Sequence, residues 1–516
     1  MTDQLTVETA HGPVRGGNAG DVDVWKGVRF AAPPTGERRW RHAAEPEPWT
    51  AVADADRYGH VCPQPTMPVI DLGPDTTTDE DCLFLNVWTP AGAAGSDARL
   101  PVLVWVHGGA YLCGSGSQPL YDGASLVRRS VAGGVPAVIV TVNYRMGVFG
   151  FADLTGLGED YQANCGLSDV LAALRWVQAN IERFGGDPAT VTLFGESAGA
   201  GVVTTLLTSP AARGLFHRAV AQSSPASSVY EHDRADRHAR LLLDRLDVGG
   251  DPGRLHDLDP RPLVAASGGV FNEVPERFPG TIAFAPVVDG DLVPIDPMDA
   301  FSAGLALDVP LLIGTNRDET SLFRWMRSPL MPVSESQVEA MFAMIAQEQP
   351  ELAIPERHVM HAAYPRERRR RRSMGISRDL GFRLPTVWIA QAHSRRAPVY
   401  LYRFDWATPF FRALRIGATH ATELPYVWGN PASATRDLSY KLGGRRTGER
   451  LTARMQQRWL NFAAHGDPAA DSGHARWQPY TDQRRHSLRI GARDSAVTGL
   501  DDPLLDAFGH DVLAFG

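Results

Sequence analysis

The sequence predicts an α/β protein built on a large, mostly parallel sheet flanked by helices. Three observations carry this. Short β-branched runs recur along the chain: "LPVLVWVHG", "VPAVIVTVNY", "ATVTLFG", "VPLLIGT", "APVYLYRF" and "HSLRIG". Each is almost continuously apolar, as expected of strands covered on both faces. Between the second and third lies "LSDVLAALRWVQANIERFGG", where Val170, Leu174, Val177, Ile181 and Phe184 fall at helical spacing and Gly185 ends the pattern. Strand, helix, strand in that order is a right-handed crossover unit.

Two stretches break this rhythm, roughly 225–297 and 321–395. They read as insertions that form caps or walls over the C-terminal edge of the sheet. No internal repeat or long low-complexity linker divides the 516 residues, so the whole chain is expected to be one domain. The second insertion contains "RERRRRR", Arg366 to Arg372, which reads as a solvated helix face because the aromatics of a nucleic-acid site are missing around it.

Composition bounds the function. Apolar residues make up 43% and charged residues 21%, which allows a sizeable core. A net charge of −8 argues against nucleic acid as a partner. No run is long enough to cross a bilayer, and "MTDQLTVETAHGPVRGG" lacks the pattern of a secretory leader, so a cytoplasmic protein without a membrane partner is expected. Cys62 and Cys82 bracket a Pro-containing segment that could close as a disulfide or stay as free thiols. No metal spacing occurs among the four cysteines.

The chemistry begins at "VTLFGESAGAGVVTTLL", where Ser197 stands between Gly195 and Gly199. A nucleophile on a tight strand-to-helix turn needs small neighbours. In a chain with 50 glycines the pattern alone is weak, and partners must decide. A serine hydroxyl needs a base and a group to orient that base. "NRDETSLF" offers Asp318 and Glu319 at a strand end, and "RIGATHATELPYVWG" offers His420, in the chain order that such a turn requires. Glu319 has a structural ion pair as its alternative, and His420 is one of 16 histidines. "VHGGAY" follows an early strand, and Gly109 and Ala110 could donate backbone N–H groups to an oxyanion, with Ala198 adding a third.

These residues, with "VWKGVRFAAPPTGERRW", "DEDCLFLNVWTP", "VTVNYRMGVFGF" and "RWLNFAAHGDP", resemble the type-B carboxylesterase and cholinesterase-like group of α/β hydrolases nearly end to end, and the bacterial para-nitrobenzyl esterase type in particular. The resemblance implies the α/β-hydrolase fold and a serine carboxylesterase that works without metal or cofactor on a small-molecule ester, as a monomer or small homo-oligomer. It implies Ser197, Glu319 and His420 as the triad, and Gly109, Ala110 and Ala198 as oxyanion donors. Glu196, Ser223 and Glu423 would stand behind the triad, and Arg39–Glu80 and Arg145–Asp169 would be buried ion pairs. Thr320 departs from the family's glycine after the acid. The loop from Cys62 to Cys82 has no tryptophan to hold a quaternary ammonium, which disfavours choline esters. Tyr111, Leu322, Phe323 and Phe411 are candidates for the gorge wall, each with a core role as its alternative. A carbamate, amide or toxin ester could be cleaved by the same triad. A non-catalytic relative would have lost the serine.

Overall fold

The computed structural model of the protein describes residues 5–248, 253–350, 352, 354–365, 367, 369–430, 438–469 and 477–509. Its centre is an 11-stranded sheet. Six neighbouring strands run parallel in the order His486–Ile490, Val399–Phe404, Leu311–Asn316, Arg218–Gln222, Gly186–Glu196 and Leu100–Val106, and Val138–Val142 continues them. Phe84–Pro90 and Val22–Arg29 extend one side antiparallel, and Ser495–Thr498 closes the other. All six apolar runs of the sequence are strands. Arg218–Gln222, "RAVAQ", is a further central strand too short and too polar at its ends to stand out.

The continuous hydrophobicity has a direct cause. Along Leu100–Val106, Val102, Val104 and Val106 point into one core while Leu103 and Trp105 point into the other. Alternation is present in direction but both faces are buried, so it leaves no polar trace in the sequence. The helix Cys165–Asn180 covers the first face through Leu167, Val170, Leu171, Leu174 and Val177. A single turn, Ile181–Phe184, prolongs it until Gly185, at φ 84°, reverses the chain. The helix Arg445–His465 covers the second face with Leu451, Met455, Trp459 and Phe462.

Two buried ion pairs hold loops to this frame. Arg39 donates to Glu80 at 2.6 Å through both Nε and Nη2, and its Nη1 also reaches the carbonyl of Leu255, tying the N-terminal segment to the first insertion. Arg145 meets Asp169 at 2.7 Å and 2.9 Å, with Nη1 on the carbonyl of Arg39. Cys62 and Cys82 stand as free, buried thiols, and Cys62 Sγ accepts from the N–H of Met146. Of the arginine run, Arg366 and Arg368 lie outside the described residues. Arg371 is exposed on the helix Arg369–Arg378. Among the described residues no helix is long and apolar enough to cross a membrane.

The Arg145–Asp169 pair is almost without solvent contact, at 2% and 0% exposure. Removing one partner leaves the other charge buried and unpaired. Asp169→Ala should therefore cost about 3–5 kcal/mol in denaturant-induced unfolding. A loss below about 1 kcal/mol would contradict this reading.

Candidate active site

Ser197 lies between the end of Gly186–Glu196 and the start of the helix Ala198–Leu206, at φ 55° and ψ −127°. This sparsely populated backbone region costs on the order of 1–3 kcal/mol, and the surroundings must impose it. A Cβ on Gly199 would lie 2.1 Å from the carbonyl oxygen of Val106, and one on Gly195 would lie 2.6 Å from the backbone of Gly199. Both glycines are needed because strand, turn and helix pass at contact distance. The Ser197 N–H donates to the carbonyl of Gln222 at 2.8 Å, which fastens the turn to the neighbouring strand.

His420 and Glu319 arrive from two further strand ends. His420 Nδ1 is 2.7 Å from Glu319 Oε2, and Nε2 is 2.8 Å from Ser197 Oγ. A carboxylate only accepts, so Nδ1 carries the proton and Nε2 is left to accept from the serine hydroxyl. The other oxygen of Glu319 accepts from Ser223 Oγ and from the N–H of Asn316, both at 2.6 Å. Asp318, the other acid in this segment, accepts instead from Arg317 and from the N–H of Ala418 at 3.0 Å, and so braces the loop that carries His420. Thr320 Oγ1 donates to the carbonyl of Met374, which secures the turn after Glu319. Glu423 is buried and accepts from Gln222 at 3.2 Å and from Asn316 Nδ2.

The loop after Leu100–Val106 passes over Ser197. A Cβ on Gly108 would lie 3.0 Å from Ser197 Cβ, and one on Gly109, at φ 128°, would lie 1.8 Å from the carbonyl oxygen of Cys113. The N–H groups of Gly109, Ala110 and Ala198 find no protein acceptor among the described residues. Backbone strain concentrates here: of the ten non-glycine residues at positive φ among the described residues, Ala110, Tyr111, Ser197, Ser223 and Ala421 all belong to site segments.

Three buried carboxyls surround one imidazole. Burial disfavours the charged form of His420, but Glu196 and Glu319 outweigh it and raise the group to about 9. Burial pushes Glu196 up to about 8, against the pull of His420, whose Nε2 lies 3.3 Å from its Oε1. Glu423 is also raised, first by burial and then by the charge of Glu319.

The serine opens into a cavity of about 340 Å³. Tyr111, Leu322 and Phe323 line it, as the sequence suggests. Phe411 does not: it packs on Phe410 in the helix Pro409–Ala413, and the turns at Arg415 and Gly417 separate that helix from His420. Nearness in sequence to the histidine misled here. The sequence also missed Phe382 and four methionines of the lining, Met67, Met326, Met331 and Met341. No local pattern marks the methionines, since they come from separate segments. Residues of both stretches that break the strand–helix rhythm, 225–297 and 321–395, line the cavity, among them Phe271, Ile282, Met331 and Phe382. Among the described residues no lysine or arginine does. Among the described residues no group of histidine, cysteine or acidic side chains could hold a metal ion.

Residues 3–503 match the sequence profile described as the Carboxylesterase family. The chain is 36% identical over 513 residues to the para-nitrobenzyl esterase of Bacillus subtilis (strain 168), covering 98% of this chain and 97% of that protein. It is 32% identical to the fumonisin B1 esterase of Sphingopyxis macrogoltabida, over 96% of this chain and 88% of that one. Among solved structures, a thermophilic PNB esterase superposes with a TM-score of 0.84 at 34% identity, covering 98% of this chain and all of that one (100%). The Geobacillus stearothermophilus carboxylesterase at pH 6.2 gives 0.83 at 34% identity, with 98% and 100% covered. With the α/β-hydrolase fold and a match of this extent, the chain belongs to the carboxylesterase family and is a carboxylic ester hydrolase.

Proposed function

We propose that Ser197, His420 and Glu319 form the catalytic triad of this serine carboxylesterase, and that it acts through an acyl-enzyme on uncharged, apolar esters. The contact chain from Ser197 Oγ through His420 to Glu319, at 2.8 Å and 2.7 Å, carries the reading. His420 takes the serine proton as the hydroxyl attacks the ester carbonyl. The N–H groups of Gly109, Ala110 and Ala198 hold the oxyanion, which no ground-state ester presents. His420 then returns the proton to the leaving alcohol, and water repeats the sequence to release the acid. Glu319 fixes the tautomer, with Ser223 holding its second oxygen. Glu196 and Glu423 add charge or dipole behind the imidazole.

The two insertions and the loop carrying Met67 would form the substrate gorge. Methionine side chains are flexible and polarisable, so such a wall accommodates esters of varied shape. A carboxylated ester would find no lysine or arginine among the described lining residues to pair with it.

Ser197→Ala should lower turnover by about four or more orders of magnitude, with the thermal transition retained. Turnover near the wild-type rate would end the assignment. Activity should rise with pH, because the base must be unprotonated. Glu196, itself raised to about 8, is neutral over the lower part of the range and then lends no charge, so the rise should centre between the ordinary 6.5 and about 9. A kcat/KM profile centred at or below 6.5 would contradict the electrostatics described above. Finally, neutral para-nitrophenyl esters should be cleaved at least about tenfold faster, by kcat/KM, than counterparts of equal length ending in a carboxylate. Equal rates would refute the charge argument.

A further inference from the structure

The second insertion contains one irregular turn. The helices Arg369–Arg378 and Leu384–His393 are joined by a π-turn, Asp379–Arg383, in which the N–H of Leu384 donates to the carbonyl of Asp379, five residues back. The sequence supplies the cause in "DLGFRLP". Pro385 has no N–H, and in a regular helix its ring would strike the carbonyl four residues earlier, that of Gly381. Widening the turn relieves that clash. Such bulges are frequent at functional sites.

Both ends of the turn are anchored by buried charges. Asp379 accepts from Arg378 at 2.7 Å and from the Tyr364 hydroxyl at 2.9 Å. Arg383 pairs with Asp501 at 2.7 Å and 2.8 Å and donates to the carbonyl of Tyr402 at 2.8 Å. Between these anchors Phe382, 5% exposed, lies against the catalytic imidazole, with ring centroids 5.0 Å apart. Phe323 meets the same imidazole at 5.3 Å. The distances are those at which a cation is attracted to an aromatic ring. His420 becomes a cation only while it holds the serine proton, so contacts that favour the imidazolium lower the barrier to attack.

We propose that the π-turn positions Phe382 so that its ring, with that of Phe323, stabilises the imidazolium of His420 during catalysis and keeps water from it. Phe382 is on this view a positioning residue acting through His420. The inference rests on the triad reading, whose own test, Ser197→Ala, is independent of the phenyl rings.

The charged and polar groups facing His420, namely Glu196, Glu319, Glu423 and Ser197, stay in place when Phe382 is replaced by leucine, which keeps an apolar lining and removes the ring. With para-nitrophenyl acetate, Phe382→Leu should lower kcat about tenfold, change KM by less than about twofold, and move the acid limb of the pH profile to lower pH. Phe323→Leu should move kcat and the limb in the same directions. An unchanged kcat and limb in a folded Phe382→Leu, or a loss confined to KM, would overturn the proposal. Should that variant not fold, as read by its thermal transition, the same two readouts on Phe323→Leu decide. Residual activity in Ser197→Ala would instead bring down the triad reading itself.

Discussion

The site depends on the close passage of three backbones at Ser197. The strand Leu100–Val106, the turn and the helix Ala198–Leu206 approach so nearly that Gly195 and Gly199 have no room for a Cβ. This crowding holds the serine at positive φ and so lifts its hydroxyl out of the sheet toward His420. The same approach brings Gly108 over the serine, and the N–H groups of Gly109 and Ala110 in that loop have no protein acceptor among the described residues. Ser197 and the loop at Gly109 are therefore set by one packing constraint, and the strain it costs is held by the buried core on both faces of the sheet.

Around that turn the electrostatics are unusual for a protein interior. Glu196, Glu319 and Glu423 are all buried within reach of a single histidine. Three carboxylates with one cation would not be tolerated in a low dielectric, and burial answers by holding Glu196 and Glu423 toward their neutral forms. Glu319 is the carboxyl with the fullest set of donors, from His420, Ser223 and Asn316. These contacts fix the direction of its carboxylate, which distinguishes Glu319 from its neighbours.

The walls are decoupled from this machinery. Loops from strand ends carry Ser197, Glu319 and His420, whereas most of the apolar lining comes from residues 225–297 and 321–395 and from the loop carrying Met67. A sheet can stay fixed while the walls around it vary, and this is how one fold hosts several activities. Wall and site touch at Phe323 and at Phe382 in the π-turn Asp379–Arg383, because both belong to the cavity lining and also pack on His420.

The sequence by itself determined the sheet and the glycine turn at Ser197, and it marked the adjacent acids Asp318 and Glu319, His420 and the loop at Gly109 as candidates. Each of these is local: apolar runs for buried strands, glycines where backbones meet, chain order for the triad. Only the tertiary structure decided what depends on distant segments meeting. It assigned Asp318 to bracing the loop and Glu319 to the imidazole, a choice between adjacent acids that turns on side-chain direction. It left Phe411 outside the cavity and brought Phe382 and the methionines in, since a cavity wall is assembled from residues far apart in the chain and carries no periodic signature. It raised His420 to about 9, because the field at a buried group is the sum over neighbours that only folding brings together.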